Sequence, residues 1–497
     1  MLFNSYPFLL VFLPIALLVV LSLRGLGRVS ASLYALCIAS LIFYAAWDWR
    51  FLGLLIGSIC FNYLVVSALA RRPSRALMWF GILVNVVLLG FFKYATFLGQ
   101  NFAALTGSDF SAPTIVLPLA ISFFTLQQIS ILVDTAREPG RQPKFRDYAL
   151  YVSFFPQLIA GPIVRHNELL PQIRDLTSRL DLTAVALGAT LFTIGLIKKI
   201  ALADSLKPYA DFVFDTVDKG AAAPGFAEAW LAAFSYHLQI YFDFSGYSDM
   251  AIGLALLFGF RLPLNFDSPY KATNIIDFWR QWHLTLSRFL RDYLYIPLGG
   301  NRGGLPAQSA RIMLVMLIGG LWHGSSWNFV IWGGLHGLMI VVNHLWRRLP
   351  TQRRLPPLAS QTLGLVLTTL GVVLAWVFFR SATLDGALTM LASMFGLHGL
   401  GELPTGDLSL LGLARTIALG GVGVTALDSN ALLLVALGCM LVWFLPASQR
   451  IVNYSPGVTD ATLPSRFPVA KAALSGAAFS FALLALARPS EFLYFQF

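Results

Sequence analysis

Seven histidines occur in the chain, His166, His237, His283, His323, His336, His344 and His398. His323 has the setting that most favours chemistry. It sits in Gly319-Gly320-Leu321-Trp322-His323-Gly324, near the middle of the apolar run 312–346, and an ionisable group is costly to bury there. Neutral imidazole tolerates such surroundings and still exchanges protons near neutral pH. Two roles are open from the pattern alone: a base for proton transfer, or a structural histidine hydrogen-bonded to a neighbouring helix.

His283 lies in Asp277-Phe-Trp279-Arg280-Gln281-Trp282-His283, which continues to Ser287, Arg288, Arg291 and Asp292. The pattern predicts one helix, with Arg280 at i−3 and Ser287 at i+4 sharing a face with His283. Such a helix is either an interfacial anchor, its Trp and Arg at headgroup level, or the wall of a polar site opening into the membrane. Upstream, Tyr241-Phe-Asp243-Phe-Ser245-Gly246-Tyr247-Ser248-Asp249 carries two carboxylates. Asp243 and Asp249 face differently on a helix, so structural hydrogen bonding fits them better than a paired acid and base. The spacings between His323, His336 and His344 suit no metal on one helix face, and no metal is expected. Cys37, Cys60 and Cys439 lie in apolar stretches without CxxC spacing, which points to neither a disulfide framework nor a zinc site.

These residues need elements to hold them, and composition says which kind. Residues of the AVILMFWYC set make up 57% of the 497 and charged residues only 12%, where about 25% charged is ordinary. A soluble surface cannot be covered with that. The apolar residues suffice for about a dozen spans of ~20 residues, and their runs are continuous, unlike the alternation of a barrel. The expected fold is therefore all-α: a polytopic membrane protein with 11–13 crossings plus re-entrant or interfacial helices. A soluble enzyme, a disordered chain and a single-pass anchor are excluded. The net charge of +11 is accounted for by basic cytoplasmic loops, and no nucleic-acid partner is expected.

Arg24, Arg28, Arg71, Arg72 and Arg75 follow the first and third apolar segments, whereas Asp48-Trp49-Arg50 separates the second and third. This asymmetry predicts an outside N-terminus on a retained first span. Arg347, Arg348, Arg353 and Arg354 mark another cytoplasmic loop and a boundary. Three regions of one integral-membrane domain follow: 1–135, 136–346 and 347–497. As a single helix, 312–346 would run ~52 Å at 1.5 Å per residue, too long for one straight crossing. With Arg302 and Arg311 before it and the basic cluster after it, a hairpin is expected.

Several stretches together resemble the membrane-bound O-acyltransferase (MBOAT) family, in its bacterial branch that includes alginate O-acetyltransferase. They are Phe91-Phe-Lys93-Tyr94, Phe154-Phe-Pro-Gln-Leu-Ile-Ala-Gly-Pro162, Tyr241 to Asp249, Asn265-Phe-Asp-Ser-Pro-Tyr270 and Phe278-Trp-Arg-Gln-Trp-His283. Arg291 to Arg302, Gly319 to Gly324, Trp332-Gly-Gly-Leu-His336-Gly, Trp376-Val-Phe-Phe-Arg380 and Phe492 to Phe497 complete the series. The resemblance implies that His323 is the essential histidine and His283 the second polar position of a central intramembrane tunnel. Trp322, Arg280, Ser287, Tyr241, Asp249, Trp279, Asn301 and His336 are tunnel candidates, and His336 also matches a recurrent family histidine whose expected role is structural. It also implies a cytoplasmic thioester donor, acetyl-CoA, with no bound cofactor. The acceptor would be an exported polysaccharide such as alginate or cellulose, reached through a periplasmic SGNH-type partner and a synthesis and secretion complex at the bacterial inner membrane. Peptidoglycan O-acetylation, D-alanyl transfer to teichoic acid, donor transport and a scaffold role stay open as alternatives.

Overall fold

A computed structural model describes the chain except residues 109–114, 139, 141, 180, 350–355, 402–408, 419–427, 457–468, 487–490 and 494–497. Arg353, Arg354, part of the apolar stretch 408–427 and the end of the Phe492–Phe497 motif thus lie outside the described residues. Among those described there are helices and no strand. Seven helices are long and apolar enough to cross a membrane: Pro7–Gly25, Trp49–Arg71, Arg75–Thr106, Leu182–Asp218, Gly304–His323, Trp327–Trp346 and Pro357–Arg380. Val29–Ala45, Leu384–Met394, Ser429–Phe444 and Ala473–Ala485 are shorter apolar helices. The chain is an all-α, multi-pass membrane protein. Residues 147–164, apolar enough in sequence to suggest a span, do not form one: the helix Phe145–Ser153 stops before a four-residue turn of helix, Phe155–Leu158, and most side chains of 147–164 are buried.

The chain divides into two compact units. The first contains residues 1–192, 248–264 and 452–475. Apolar helices in lipid gain no hydrophobic drive toward one another and associate through close packing and hydrogen bonds, and both devices are present. Gly188 and Gly253 pack backbone to backbone, each leaving its neighbour's carbonyl no room for a Cβ. Asn62 and Asn85 exchange side-chain hydrogen bonds of 2.7 and 3.2 Å. Arg24, read from the sequence as a solvated loop cation, is instead 5% exposed and donates to the carbonyls of Thr177, Phe258 and Arg179. Its five donors suit that capping task.

The second unit contains residues 193–247, 265–451 and 476–497, and here the expected hairpin is found. We label α1 as Gly304–His323 and α2 as Trp327–Trp346. They run antiparallel, joined by Gly324-Ser-Ser326, with His323 at the turn. A Cβ on Gly320 would collide with the carbonyl oxygen of Phe329, and one on Gly333 with that of Met316. One turn further on, Gly337 leaves 2.9 Å to the Met313 sulfur. Small residues at i and i+4 of α2 therefore let the two backbones meet.

The single helix expected through His283 is not formed. Ile275–Trp279 begins at an Asn274 cap, whose Oδ1 accepts from Asp277 N at 3.0 Å, and ends at Arg280. A new helix, Leu284–Leu290, starts after His283, whose φ of 44° and ψ of 53° are left-handed. The break turns His283 inward while Arg280 stays exposed, so the shared face with Arg280 and Ser287 does not exist.

Candidate active site

A non-glycine residue in the left-handed region costs of order 1–3 kcal/mol and persists only where its surroundings enforce it. Asn265 supplies that enforcement at His283. Its carbonyl accepts from Leu284 N at 2.9 Å, and its side-chain Oδ1 meets Thr285 Oγ1 at 2.8 Å and His283 Nδ1 at 3.0 Å. An amide oxygen only accepts, so His283 carries its proton on Nδ1 and presents Nε2 as the acceptor nitrogen. The ring is fully buried, with Phe244 edge-on at 4.8 Å.

His323 lies at the hairpin turn, 4% exposed. Its ring is surrounded by Trp322 and Trp332, each at 5.0 Å, and Phe379 at 5.3 Å, with His283 at 6.4 Å between centroids. The glycine contacts of α1 and α2 bring Trp332 across to it. Trp332 in turn stacks on Trp376 at 5.6 Å and meets His336 at 4.8 Å. The indole N–H of Trp279 reaches His336 Nδ1 at 3.3 Å. Indole nitrogen is a donor only, so His336 holds its proton on Nε2, the opposite tautomer to His283. The Nε2 of His336 and the Nε1 of Trp332 are buried without a hydrogen-bond partner among the described residues.

Beside this cluster runs a half-open groove of about 560 Å³. Ile312, Val315, Met316 and Ile340 give it an apolar floor, and Arg280, Arg288, Arg291, Ser287, Asn301 and Trp279 also line it. Asn301 is fixed there by Tyr295 and Gln308, which donate to its Oδ1 at 2.6 and 3.1 Å. His323 is not among the lining residues. Met316, on the groove floor, lies seven residues before it on α1, about 10 Å along the helix axis.

The structure thus brings His323, His283, Trp322, His336 and Trp279 into one cluster, and Arg280, Ser287 and Asn301 onto the groove. Tyr241 falls elsewhere in the same core, packed on Tyr270 at 5.1 Å with Lys198 Nζ 5.7 Å from its ring centre. Asp249 belongs to the other unit and is buried. Asn265, Thr285, Phe244 and Phe379 are site residues that the reading by type and spacing passed over. Among the described residues no group of three or more His, Cys, Asp or Glu could hold a metal ion.

The sequence profile of the MBOAT, membrane-bound O-acyltransferase family matches residues 74–382. The chain belongs to this family. As an MBOAT protein it is an acyltransferase, and its relatives span most of its length. It is 45% identical over 431 residues to the peptidoglycan O-acetyltransferase of Helicobacter pylori, covering 80% of each chain. The probable alginate O-acetylase of Azotobacter vinelandii is 41% identical over 434 residues, covering 84% of this chain and 83% of that one. More distant is the teichoic acid D-alanyltransferase of Streptococcus thermophilus, 25% identical over 46% of this chain and 57% of its own. The MBOAT match contains both the His283 and His323 segments.

The Asn265 contacts carry a prediction. Asn265→Leu removes the side-chain oxygen that fixes the tautomer of His283, while the backbone carbonyl at 265 still accepts from Leu284 N. Acyl transfer should fall by about 10- to 100-fold, in the range of a positioning defect, with His323 unchanged. Asn265→Asp, which keeps the acceptor, should retain more activity than Asn265→Leu when both are assayed as purified protein.

Proposed function

We propose that this protein transfers acetyl groups from acetyl-CoA, taken from the cytoplasm, to an exported polysaccharide at the bacterial inner membrane. The observation that carries the reading is His323 itself: a buried imidazole at a hairpin turn, 6.4 Å from a second histidine, on a helix whose other half floors a groove lined by arginines. Arg302 and Arg311 precede the turn and Arg347 and Arg348 follow it, so the basic ends face the cytoplasm, and the N-terminus is periplasmic.

The donor's phosphates pair with Arg280 and Arg291, both exposed, and its flexible thioester arm reaches inward along the apolar floor toward His323. His323 accepts the proton of the acceptor hydroxyl as its oxygen attacks the thioester carbonyl. The C–S bond breaks, and the departing thiolate takes a proton to leave as free CoA thiol. His283, with Nε2 as an acceptor, orients the hydroxyl, while the N–H groups of Trp332 and His336 are the donors available for the developing oxyanion. A covalent acetyl-imidazole on His323 is the second route to the same products. The acceptor is alginate or a similar polymer, served through a periplasmic SGNH-type partner within a synthesis and secretion complex. Peptidoglycan is the second reading, favoured by the 45% identical relative.

The test uses purified protein in vesicles, with radiolabelled acetyl-CoA outside one set and a labelled D-alanyl carrier protein outside another. Oligouronates and peptidoglycan fragments are offered as acceptors. Label passing from acetyl-CoA to an acceptor ester is the expected result; label only from the D-alanyl carrier, or intact donor crossing without transfer, refutes it. Arg280→Ala with Arg291→Ala should raise the KM for acetyl-CoA by roughly 2- to 30-fold, the loss of two exposed ion pairs of ~0.2–1 kcal/mol each. The kcat should change little, since groups remote from the reacting atoms contribute uniform binding.

A further inference from the structure

We infer that residues Glu491–Leu493 and the buried Lys199–Asp243 pair form a strap that positions His283 for the transfer proposed above, and the inference rests on that reading. Lys199 lies in the π-helical stretch Lys198–Ala203 and is 1% exposed. An ammonium has three donors, and the structure gives this one three partners. They are Asp243 Oδ1 at 2.6 Å, Asp204 Oδ1 at 2.9 Å and the carbonyl of Glu491 at 3.1 Å. The other oxygen of Asp243 accepts from Leu493 N at 2.9 Å. Between these two backbone contacts Phe492 is buried, its ring centre 4.8 Å from Lys199 Nζ and its ring edge-on to Tyr247 at 4.4 Å.

The 491–493 segment therefore completes the hydrogen bonding of two buried charges at once. Withdrawing it leaves each short of a partner, the costly outcome for buried ionic groups. For stability alone, an apolar cluster of the same volume would serve as well. What the ionic cluster adds is register: it ties residues 199, 204, 243 and 491–493 to fixed atoms.

The next residue along the helix shows what that register serves. Phe244 follows Asp243 directly, sits edge-on to the His283 ring at 4.8 Å and packs on Phe266 at 5.0 Å. Asn265 holds His283 from one side and Phe244 backs it from another. The strap fixes the helical turn from which Phe244 projects. Asp243 is a positioning residue on this account, which explains why a carboxylate is buried in the core.

Leu493→Pro removes the N–H that Asp243 accepts, and Leu493→Ala removes the side chain but keeps that N–H. Both are compared in the full chain, in vesicles, by acetyl-transfer kinetics and by amide hydrogen exchange. Leu493→Ala should keep kcat within about twofold. Leu493→Pro should lower kcat about tenfold or more with donor KM nearly unchanged, as expected of misplacement at a distance. Amides of 240–247 and 283–285 should exchange about tenfold faster or more, while 304–346 stays protected. Wild-type kcat in Leu493→Pro, or unchanged exchange at 283–285, overturns the strap. Should Leu493→Pro fail to accumulate, Lys199→Met with Asp204→Asn and Asp243→Leu removes all three charges of the cluster together. That triple variant should fold and show the same loss of kcat; wild-type kcat there overturns the inference equally. Hydrogen exchange needs no substrate, so if the wild type transfers acetyl from no donor, the proposed reaction falls while exchange at 283–285 still decides the strap.

Discussion

Replacing His323 with Ala should abolish acetyl transfer while leaving the protein folded in the membrane. A general base contributes about 10²–10⁴ in rate, so residual turnover should be no more than about one per cent of wild type. The fold should survive because the hairpin is held by the glycine contacts at Gly320, Gly333 and Gly337, and His323 does not supply them. Its neighbours Trp322, Trp332 and Phe379 would border a small cavity, a loss that a well-packed aromatic cluster tolerates better than a clash. The assay pairs acetyl release from acetyl-CoA by purified protein with analysis of polysaccharide esters in cells carrying each form. A variant that is monodisperse, protease-resistant and still active above about a tenth of wild type would remove His323 from the reaction. On the proposed mechanism His283→Ala should be the milder lesion, since His283 would only accept a hydrogen bond beside the reacting hydroxyl while His323 would take the proton.

Much of the fold is legible in the residues. Burying an ionisable group is expensive, so a histidine between glycine and tryptophan inside an apolar run stands out, and His323 does lie at a buried turn. The hairpin is legible because 312–346 is too long for one crossing. Its first helix nonetheless begins at Gly304, before the apolar run, because Gln308, Ser309 and Arg311 read as loop by hydropathy. They are carried instead on the first turns of α1, where Gln308 bonds Asn301. The break at His283 has no signature in composition. Left-handed backbone at a residue other than glycine is imposed from outside, here by Asn265 eighteen positions upstream, and periodicity sees only the local chain. Tyr241 fails as a groove residue for a similar reason: it shares a helix with Phe244, which touches His283, but faces Tyr270 and Lys198. Spacing along a helix states which residues share a face, and it says nothing of what that face meets.

The glycine seam of the hairpin should be the least tolerant feature of the active unit. In Gly333→Ala the new methyl would collide with the carbonyl oxygen of Met316, and in Gly320→Ala with that of Phe329. Both obstacles are backbone, so neither can rotate aside. Overpacking a tight site typically costs ~1–3 kcal/mol, and a backbone clash belongs at the upper end or beyond, about 3 kcal/mol or more. In lipid no hydrophobic drive compensates, because separated helices bury their apolar faces in acyl chains equally well. The two helices would part near their turn, carrying Trp332 away from His323, and transfer should fall about as far as in His323→Ala. Gly334→Ala is the internal control: it lies on the same helix, but its Cβ would meet only Leu317 at 3.6 Å, ordinary contact with a flexible side chain. Thermal unfolding in detergent and acetyl transfer should therefore be near wild type for Gly334→Ala and lost together for Gly333→Ala. Equal stability of the two would mean that the helices tolerate separation, and that His323 is positioned by something other than the seam.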